Sequence, residues 1–198
     1  MSEQVRQMFS SIATRYDVTN VVLSFGIDRW WRHVTVKTAR TGPGMRVLDC
    51  ATGTGDLALA FRRTGAEVVG TDFCAPMLDP AREKARAAGL DVTFEVADAM
   101  ALPYPDGSFD VSSISFGIRN VDDPVQCLRE MARVVMPAVG GLLTGNKAAY
   151  QYLPRTAAAF PAGERFLELM DGSKAFRARS ARPFTGGITW LYRGVVAG

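Results

Sequence analysis

The chain has 198 residues, enough for one compact domain and thin for two. Hydrophobic residues make up 47% and charged ones 22%, which excludes a disordered chain, and 23 Lys and Arg against 20 Asp and Glu leave a net charge of +3, without the dense basic run of a nucleic-acid binder. No apolar run is long enough to span a bilayer, the start MSEQVRQMF lacks a signal-peptide core, and three scattered cysteines without a CxxC argue for a reducing cytoplasm rather than a disulfide framework.

Residues 3–40 read as helices. Val5, Met8, Phe9 and Ile12 form one apolar face, and Ile27, Trp30, Trp31 and Val34 repeat its spacing. The two tryptophans read first as core packing. Gly42-Pro43-Gly44 then breaks any helix. From Met45 the pattern alternates: a strand Met45–Cys50, a glycine turn, a helix from Asp56 to about Thr64, a strand Glu67–Thr71, a helix Pro76–Ala88 and a strand Val92–Val96. A fourth strand spans Phe109–Phe116, and Asp123-Pro124 opens a helix as N-cap and first helical residue. Such alternation predicts a parallel sheet covered by helices on both faces. Beyond Val135 the pattern is irregular: short helices through Met136–Ala159, a helix Pro161–Met170, and a hairpin of Phe176–Arg182 with Ile188–Val195 around Gly186-Gly187. The organisation expected is one domain: a helical cap (1–42), a cofactor-binding core (43–135), and substrate-side helices with the hairpin (136–198).

The informative segment is Val47-Leu48-Asp49-Cys50-Ala51-Thr52-Gly53-Thr54-Gly55-Asp56, a strand entering a glycine turn and a helix. Gly53 and Gly55 permit a tight turn and close backbone approach to a ligand. With Ala58 they satisfy the relaxed dinucleotide fingerprint, so a nicotinamide enzyme has to be weighed. Three acidic residues decide against it. Asp49 ends the first strand, where a carboxylate suits the ammonium-bearing end of S-adenosylmethionine and would repel a pyrophosphate. Asp72 ends the second strand, placed to accept two ribose hydroxyls, and Asp98 ends the third, placed to accept the adenine amino proton. One such Asp could be a helix cap, but three at successive carboxyl ends of parallel strands mark the ligand-binding edge.

Four stretches are more specific. They are Met8-Phe9-Ser10-Ser11-Ile12-Ala13 with Arg15-Tyr16-Asp17 and Asn20; the Ala51–Asp56 turn; Asp98–Asp106 with Ser115-Phe116-Gly117-Ile118-Arg119-Asn120; and Tyr150-x-Tyr152-Leu153-Pro154 with Thr185-Gly186-Gly187-Ile188. On these the sequence resembles the ubiquinone/menaquinone biosynthesis C-methyltransferases over nearly its whole length. The resemblance implies a Rossmann-like class I methyltransferase fold with an N-terminal helical cap and a C-terminal antiparallel hairpin. It implies S-adenosyl-L-methionine as cofactor and a polyprenylated quinol as substrate, methylated on a ring carbon. Cofactor contacts are expected at Asp49, Gly53, Thr54, Gly55, Asp72, Phe73, Asp98, Ala99 and Ser115. Arg119, Asn120, Tyr16 and Asp17 are the candidates for catalysis, and no metal is expected. The product is menaquinol or the corresponding ubiquinone precursor. Peripheral contact with the inner face of the membrane, a second copy of the chain as partner, and no nucleic acid complete the expectation. Phe25, Trp30, Trp31, Leu142, Leu143 and Tyr150 are candidates to receive the tail.

The alternatives are a cofactor-binding protein without turnover and a methyltransferase for another small metabolite. An RNA methyltransferase lacks its basic appendage and base-flipping motif. The single histidine, His33, and the three cysteines, Cys50, Cys74 and Cys127, read as structural. One departure stands out. In the resembled family a helix ending like Arg133-Val134-Val135 leads into a Lys-Pro-Gly-Gly turn and a fifth strand; here Val135 meets Met136 directly. Either Ile188–Val195 closes against Phe109–Phe116, or a second copy lends a strand, or residues are missing between Val135 and Met136. The close match on both sides favours the last.

Overall fold

The computed structural model describes residues 27–135, 142–146, 161–187 and 189–196, with side chains described outside 142–146. The elements are α1 (Ile27–Ala39), β1 (Arg46–Cys50), α2 (Asp56–Arg62), β2 (Glu67–Asp72), α3 (Ala75–Ala87), β3 (Thr93–Val96), β4 (Val111–Ile114), α4 (Pro124–Arg133), β5 (Leu142–Asn146), α5 (Glu164–Ser173), β6 (Phe176–Phe184) and β7 (Thr189–Val196).

Strands β3-β2-β1-β4 form a parallel sheet. Alternation along β1 sends Val47 to one face and Leu48 and Cys50 to the other. Val47, Val68 and Val111 meet Leu57, Phe61 and Leu78 from α2 and α3, while Leu48, Cys50 and Ile114 meet Leu128 and Met131 from α4 and Phe166 from α5. Both faces are therefore apolar and both are covered by helices. Helix α4 begins as its sequence dictates: Pro124 occupies the first turn and the Asp123 carboxylate accepts from the Gln126 amide at 3.0 Å. Asp56, opening α2, holds α1 to α3. Its carboxylate pairs with Arg32 at 3.1 Å and with Lys84 at 2.6 Å.

The tryptophans of α1 divide. Trp31 is buried against Phe116 and its indole N–H donates to the Thr185 hydroxyl at 3.3 Å. Trp30 is 49% exposed and meets only the edge of Phe184 among the described aromatic rings. Trp31 is thus core and not a tail-accepting surface; Phe25 and Tyr150, and the side chains of Leu142 and Leu143, lie outside what is described.

The second sheet has the order β5-β7-β6, antiparallel throughout, and gives the expected C-terminal hairpin as β6 and β7. One expectation needs correction: residues 142–146 are a strand rather than part of a run of short helices. Of the three alternatives weighed beyond Val135, closure of the terminal strand on β4 is not adopted, because β5 packs beside β4 and pairs with β7. Strand hydrogen bonding, which periodicity in a Gly-rich segment does not show, decided the matter. Phe109 also bridges to Val135 in parallel, so the chain leaving α4 starts alongside β4. The Val135–Met136 junction itself lies outside the described residues. Thr144 stands opposite Leu191 in the middle of β5. A Thr144→Pro substitution should lower stability by about 1–3 kcal/mol, the cost of an unmet ladder group. Urea unfolding with an unchanged midpoint would show that 142–146 is not held as a strand against β7.

Candidate active site

The strand order reverses direction between β1 and β4, and the carboxyl ends of the strands beside such a reversal are the ligand edge of an open α/β sheet. The glycine turn lies at this edge. Thr52 N donates to the Thr71 carbonyl at 2.9 Å and Gly55 N to the Thr52 carbonyl at 3.0 Å, folding the turn back over β2. Gly55 has a φ of 81° and a Cβ there would lie 2.9 Å from the Ala81 Cβ and 3.0 Å from the Phe94 ring, so only glycine lets α2 sit this close. Two residues other than glycine, Ala51 (φ 47°) and Phe116 (φ 59°), hold left-handed backbone just beyond β1 and β4. Strain of this kind costs about 1–3 kcal/mol each and gathers at functional sites.

The expected acidic residues converge on this turn in different ways. Asp49 is 1% exposed and lies beneath it, its two oxygens accepting from the Thr52 hydroxyl at 2.6 Å and the Ser113 hydroxyl at 2.7 Å. Burial pushes its pKa up to about 6; the two hydroxyls hold it down and the Asp72 charge adds to the rise. Asp72 accepts from the Gly53 amide and the Cys74 amide, each at 2.8 Å, and burial raises its pKa against the pull of those donors. Each of its oxygens keeps a second lone pair. Asp98, half-buried two residues beyond β3, accepts from the Met100 amide at 2.9 Å through one oxygen. Gly53, Phe73 and Ser115 are partly exposed around the same edge, while Thr54, Gly55 and Ala99 are buried within it.

Arg119 and Asn120 belong to the single turn Ile118–Asn120 that follows β4. The Arg119 Nε and Nη1 are buried. Gly117 makes that turn possible, since a Cβ there would fall 2.3 Å from the Ala51 Cβ. The structure thus brings Asp49, Gly53, Thr54, Gly55, Asp72, Phe73, Asp98, Ala99, Ser115, Arg119 and Asn120 to the crossover edge; Tyr16 and Asp17 lie outside the described residues. Sequence reasoning missed Thr52 and Ser113, which grip Asp49. A serine inside the buried run Val111–Ile114 was the available signal, because a buried hydroxyl needs a partner. All three cysteines are free and buried; burial pushes the Cys127 thiol up to about 12 and the Cys50 thiol well above its ordinary value, which disfavours the reactive thiolate at those two.

These residues fit S-adenosylmethionine. The turn lets a ligand approach backbone, and Asp72 and Asp98 offer carboxylate oxygens at the ends of β2 and β3. Fold and edge together define a class I S-adenosylmethionine-dependent methyltransferase. The sequence matches the ubiE/COQ5 methyltransferase family over residues 1–137 and 132–196, and the chain belongs to that family. It is 48% identical to the ubiquinone/menaquinone biosynthesis C-methyltransferase UbiE of Bdellovibrio bacteriovorus, covering 98% of this chain and 96% of the relative. It is 46% identical to the demethylmenaquinone methyltransferase of Thermus thermophilus, covering 87% and 92%. The first alignment runs to 227 positions on a chain of 198 residues, so the relative carries residues that have no counterpart here. Among solved structures, the S-adenosylmethionine-dependent methyltransferase of Aquifex aeolicus superposes with a TM-score of 0.70 at 21% identity, over 83% of this chain and 89% of that one. A chain from the Haloferax volcanii complex of the Trm112 methyltransferase activator with a methyltransferase gives 0.74 at 20% identity, over 96% and 98%.

Two predictions follow from the carboxylates. The Asp49 pKa is higher folded than unfolded, so the fold favours the protonated acid. That contribution is complete below pH 3.8 and lost as pH rises through about 6, a difference of about 3 kcal/mol. Asp49→Asn should therefore stabilise the cofactor-free protein at pH 8 and not at pH 4, as read by urea unfolding at both. Asp72→Ala should weaken S-adenosylmethionine binding at least tenfold, since hydrogen bonds to a charged acceptor are worth about 1.5–3 kcal/mol; calorimetry on the folded variant checks it.

Proposed function

We propose that the enzyme methylates a ring carbon of a polyprenylated quinol, demethylmenaquinol first and the methoxy-benzoquinol of ubiquinone synthesis second. The observation that carries this reading is the placement of Arg119, its Nε and Nη1 buried, in the turn directly beyond β4 at the same edge as Asp72 and Asp98. The names of the relatives support the substrate class.

Bound S-adenosylmethionine supplies an electrophilic methyl group. The turn Gly53–Gly55 with Asp72 and Asp98 holds and orients the cofactor, and such placement is worth roughly 7–11 kcal/mol of the barrier. Arg119 stabilises the negative charge on the quinol oxygen as its hydroxyl proton leaves, which enriches the neighbouring ring carbon in electrons. It stays protonated and is not the base. Asn120 orients the quinol oxygen. We assign to Tyr16 and Asp17, which lie outside the described residues, the part of base or hydrogen-bond partner in removing that proton. The prenyl tail keeps the substrate in a membrane, and no helix among the described residues is long and apolar enough to cross one. We place the enzyme at the inner membrane face, where the tail of such a substrate is dissolved.

The test is methyl transfer from S-adenosylmethionine to a water-soluble, short-tailed demethylmenaquinol analogue. Arg119→Ala should lower kcat about 10²–10³-fold, the usual loss for a charge-stabilising donor. Cofactor affinity should change less than threefold. Near-normal turnover of the variant would remove Arg119 from catalysis. Cofactor binding by the unaltered chain with no methylated product would favour the reading of a binding protein without turnover.

A further inference from the structure

Helix α1, the exposed side of α2 and the last turn of α3 enclose an open groove of about 1040 Å³. Its walls carry Arg29, Lys37 and Arg40 from α1 and the residue after it, Arg63 at the end of α2, and Arg32 and Lys84. The one acidic residue of the lining, Asp56, is already shared by Arg32 and Lys84. Arg29, Lys37, Arg40 and Arg63 are exposed and make no ion pair among the described residues. Four cations with no carboxylate partner among the described residues face one concave surface, on a protein whose net charge is only +3. Such a concentration is not explained by the fold: the helices are held by Trp31, Leu57, Phe61 and Leu78 on their other sides.

The apolar side chains beside the groove narrow the partner. On α1, Trp30 and Lys37 are seven residues apart and lie along one row of the helix, Arg29 and His33 lie on the neighbouring row, and Arg40 follows directly after the helix. Trp30 and Ile27 are 49% and 40% exposed, two of the three large apolar side chains so placed among the described residues. A basic row flanked by an exposed tryptophan is the pattern of a helix lying at a membrane–water interface. Guanidinium groups pair with phosphate oxygens through two parallel hydrogen bonds. We propose that this groove receives the phosphodiester headgroups of anionic phospholipids and docks the enzyme on a membrane surface. The proposal rests on the reading of the substrate as a membrane-dissolved quinol, and it gives that reading an address on the protein, apart from the residues assigned to the cofactor and to catalysis.

The experiment is flotation of the full chain with vesicles of phosphatidylglycerol and phosphatidylcholine, against vesicles of phosphatidylcholine alone. Each Lys or Arg near an anionic surface contributes about fivefold to binding, so the triple variant Lys37→Gln/Arg40→Gln/Arg63→Gln should bind the anionic vesicles about 100-fold more weakly. The same variant should retain the chain's turnover of the soluble short-tailed quinol analogue, since none of the three touches the crossover edge. Added salt should release the unaltered chain from anionic vesicles, and Trp30 fluorescence should shift to the blue on binding. Equal binding to neutral vesicles, or an unweakened triple variant, would overturn the proposal. So would a short duplex RNA that displaces the chain from anionic vesicles at lower phosphate concentration, which would make the groove a nucleic-acid site. Charge-dependent vesicle binding without methyl transfer would leave the groove standing and remove the proposed reaction; methyl transfer with charge-independent binding would do the reverse.

Discussion

A buried carboxylate organises the active edge. Asp49 sits at the last turn of the pleat in β1, and its two oxygens are taken by a hydroxyl from the glycine turn and a hydroxyl from β4. A charge in that position is costly unless hydrogen-bonded, so the Thr52 and Ser113 side chains are drawn to it. The result is that the first turn, β1 and β4 are tied together at the point where the strand order reverses. Asp72 repeats the device one strand over, with backbone amides of Gly53 and Cys74 as donors. Two carboxylates thus hold the turn from below and from the side. Their mutual repulsion contributes to the raised pKa of Asp49, and a cationic ligand at this edge relieves it.

Close packing does the rest. The ring of Phe94 lies over Gly70 in β2 and against Gly55 at the start of α2, where a Cβ at either glycine would be within about 3 Å of it. The turn cannot move outward without losing that contact or inward without meeting Asp49. On the other side of the crossover, Gly117 lets the turn carrying Arg119 pass within touching distance of Ala51. The cofactor residues and the candidate catalytic arginine are therefore coupled through a backbone approach of two loops, each with a non-glycine residue in left-handed conformation. Positioning of this kind belongs to the backbone, and side-chain substitutions at the rim leave it intact.

Beyond β4 lies β5, residues 142–146, which packs beside β4 and hydrogen-bonds to β7 in a separate sheet, while Val135 bridges to Phe109 where the chain leaves α4. The two sheets have the orders β3-β2-β1-β4 and β5-β7-β6. The second puts β7 at its centre and lets Leu191 and Tyr192 reach the two cores on opposite faces.

Much of this was written in local sequence. The strands β1 to β4, the helices α2 to α4, the hairpin and the Asp123-Pro124 cap follow from periodicity and capping chemistry, which act within a few residues. The cofactor turn and the carboxylates Asp49, Asp72 and Asp98 were legible because parallel strands must present their carboxyl ends together. What tertiary structure alone decided is what depends on residues far apart in the chain. The fate of Trp30 and Trp31 is one case: both fit the apolar spacing of α1, and only the approach of Phe116 and Thr185 buries one and leaves the other in solvent. The grip of Ser113 on Asp49 joins residues 64 positions apart. Strand β5 is the clearest case, because Leu142–Asn146 has no marked alternation and becomes a strand through the hydrogen bonds that β7 offers it. Propensity reads neighbours in sequence, whereas strand pairing and burial are set by neighbours in space.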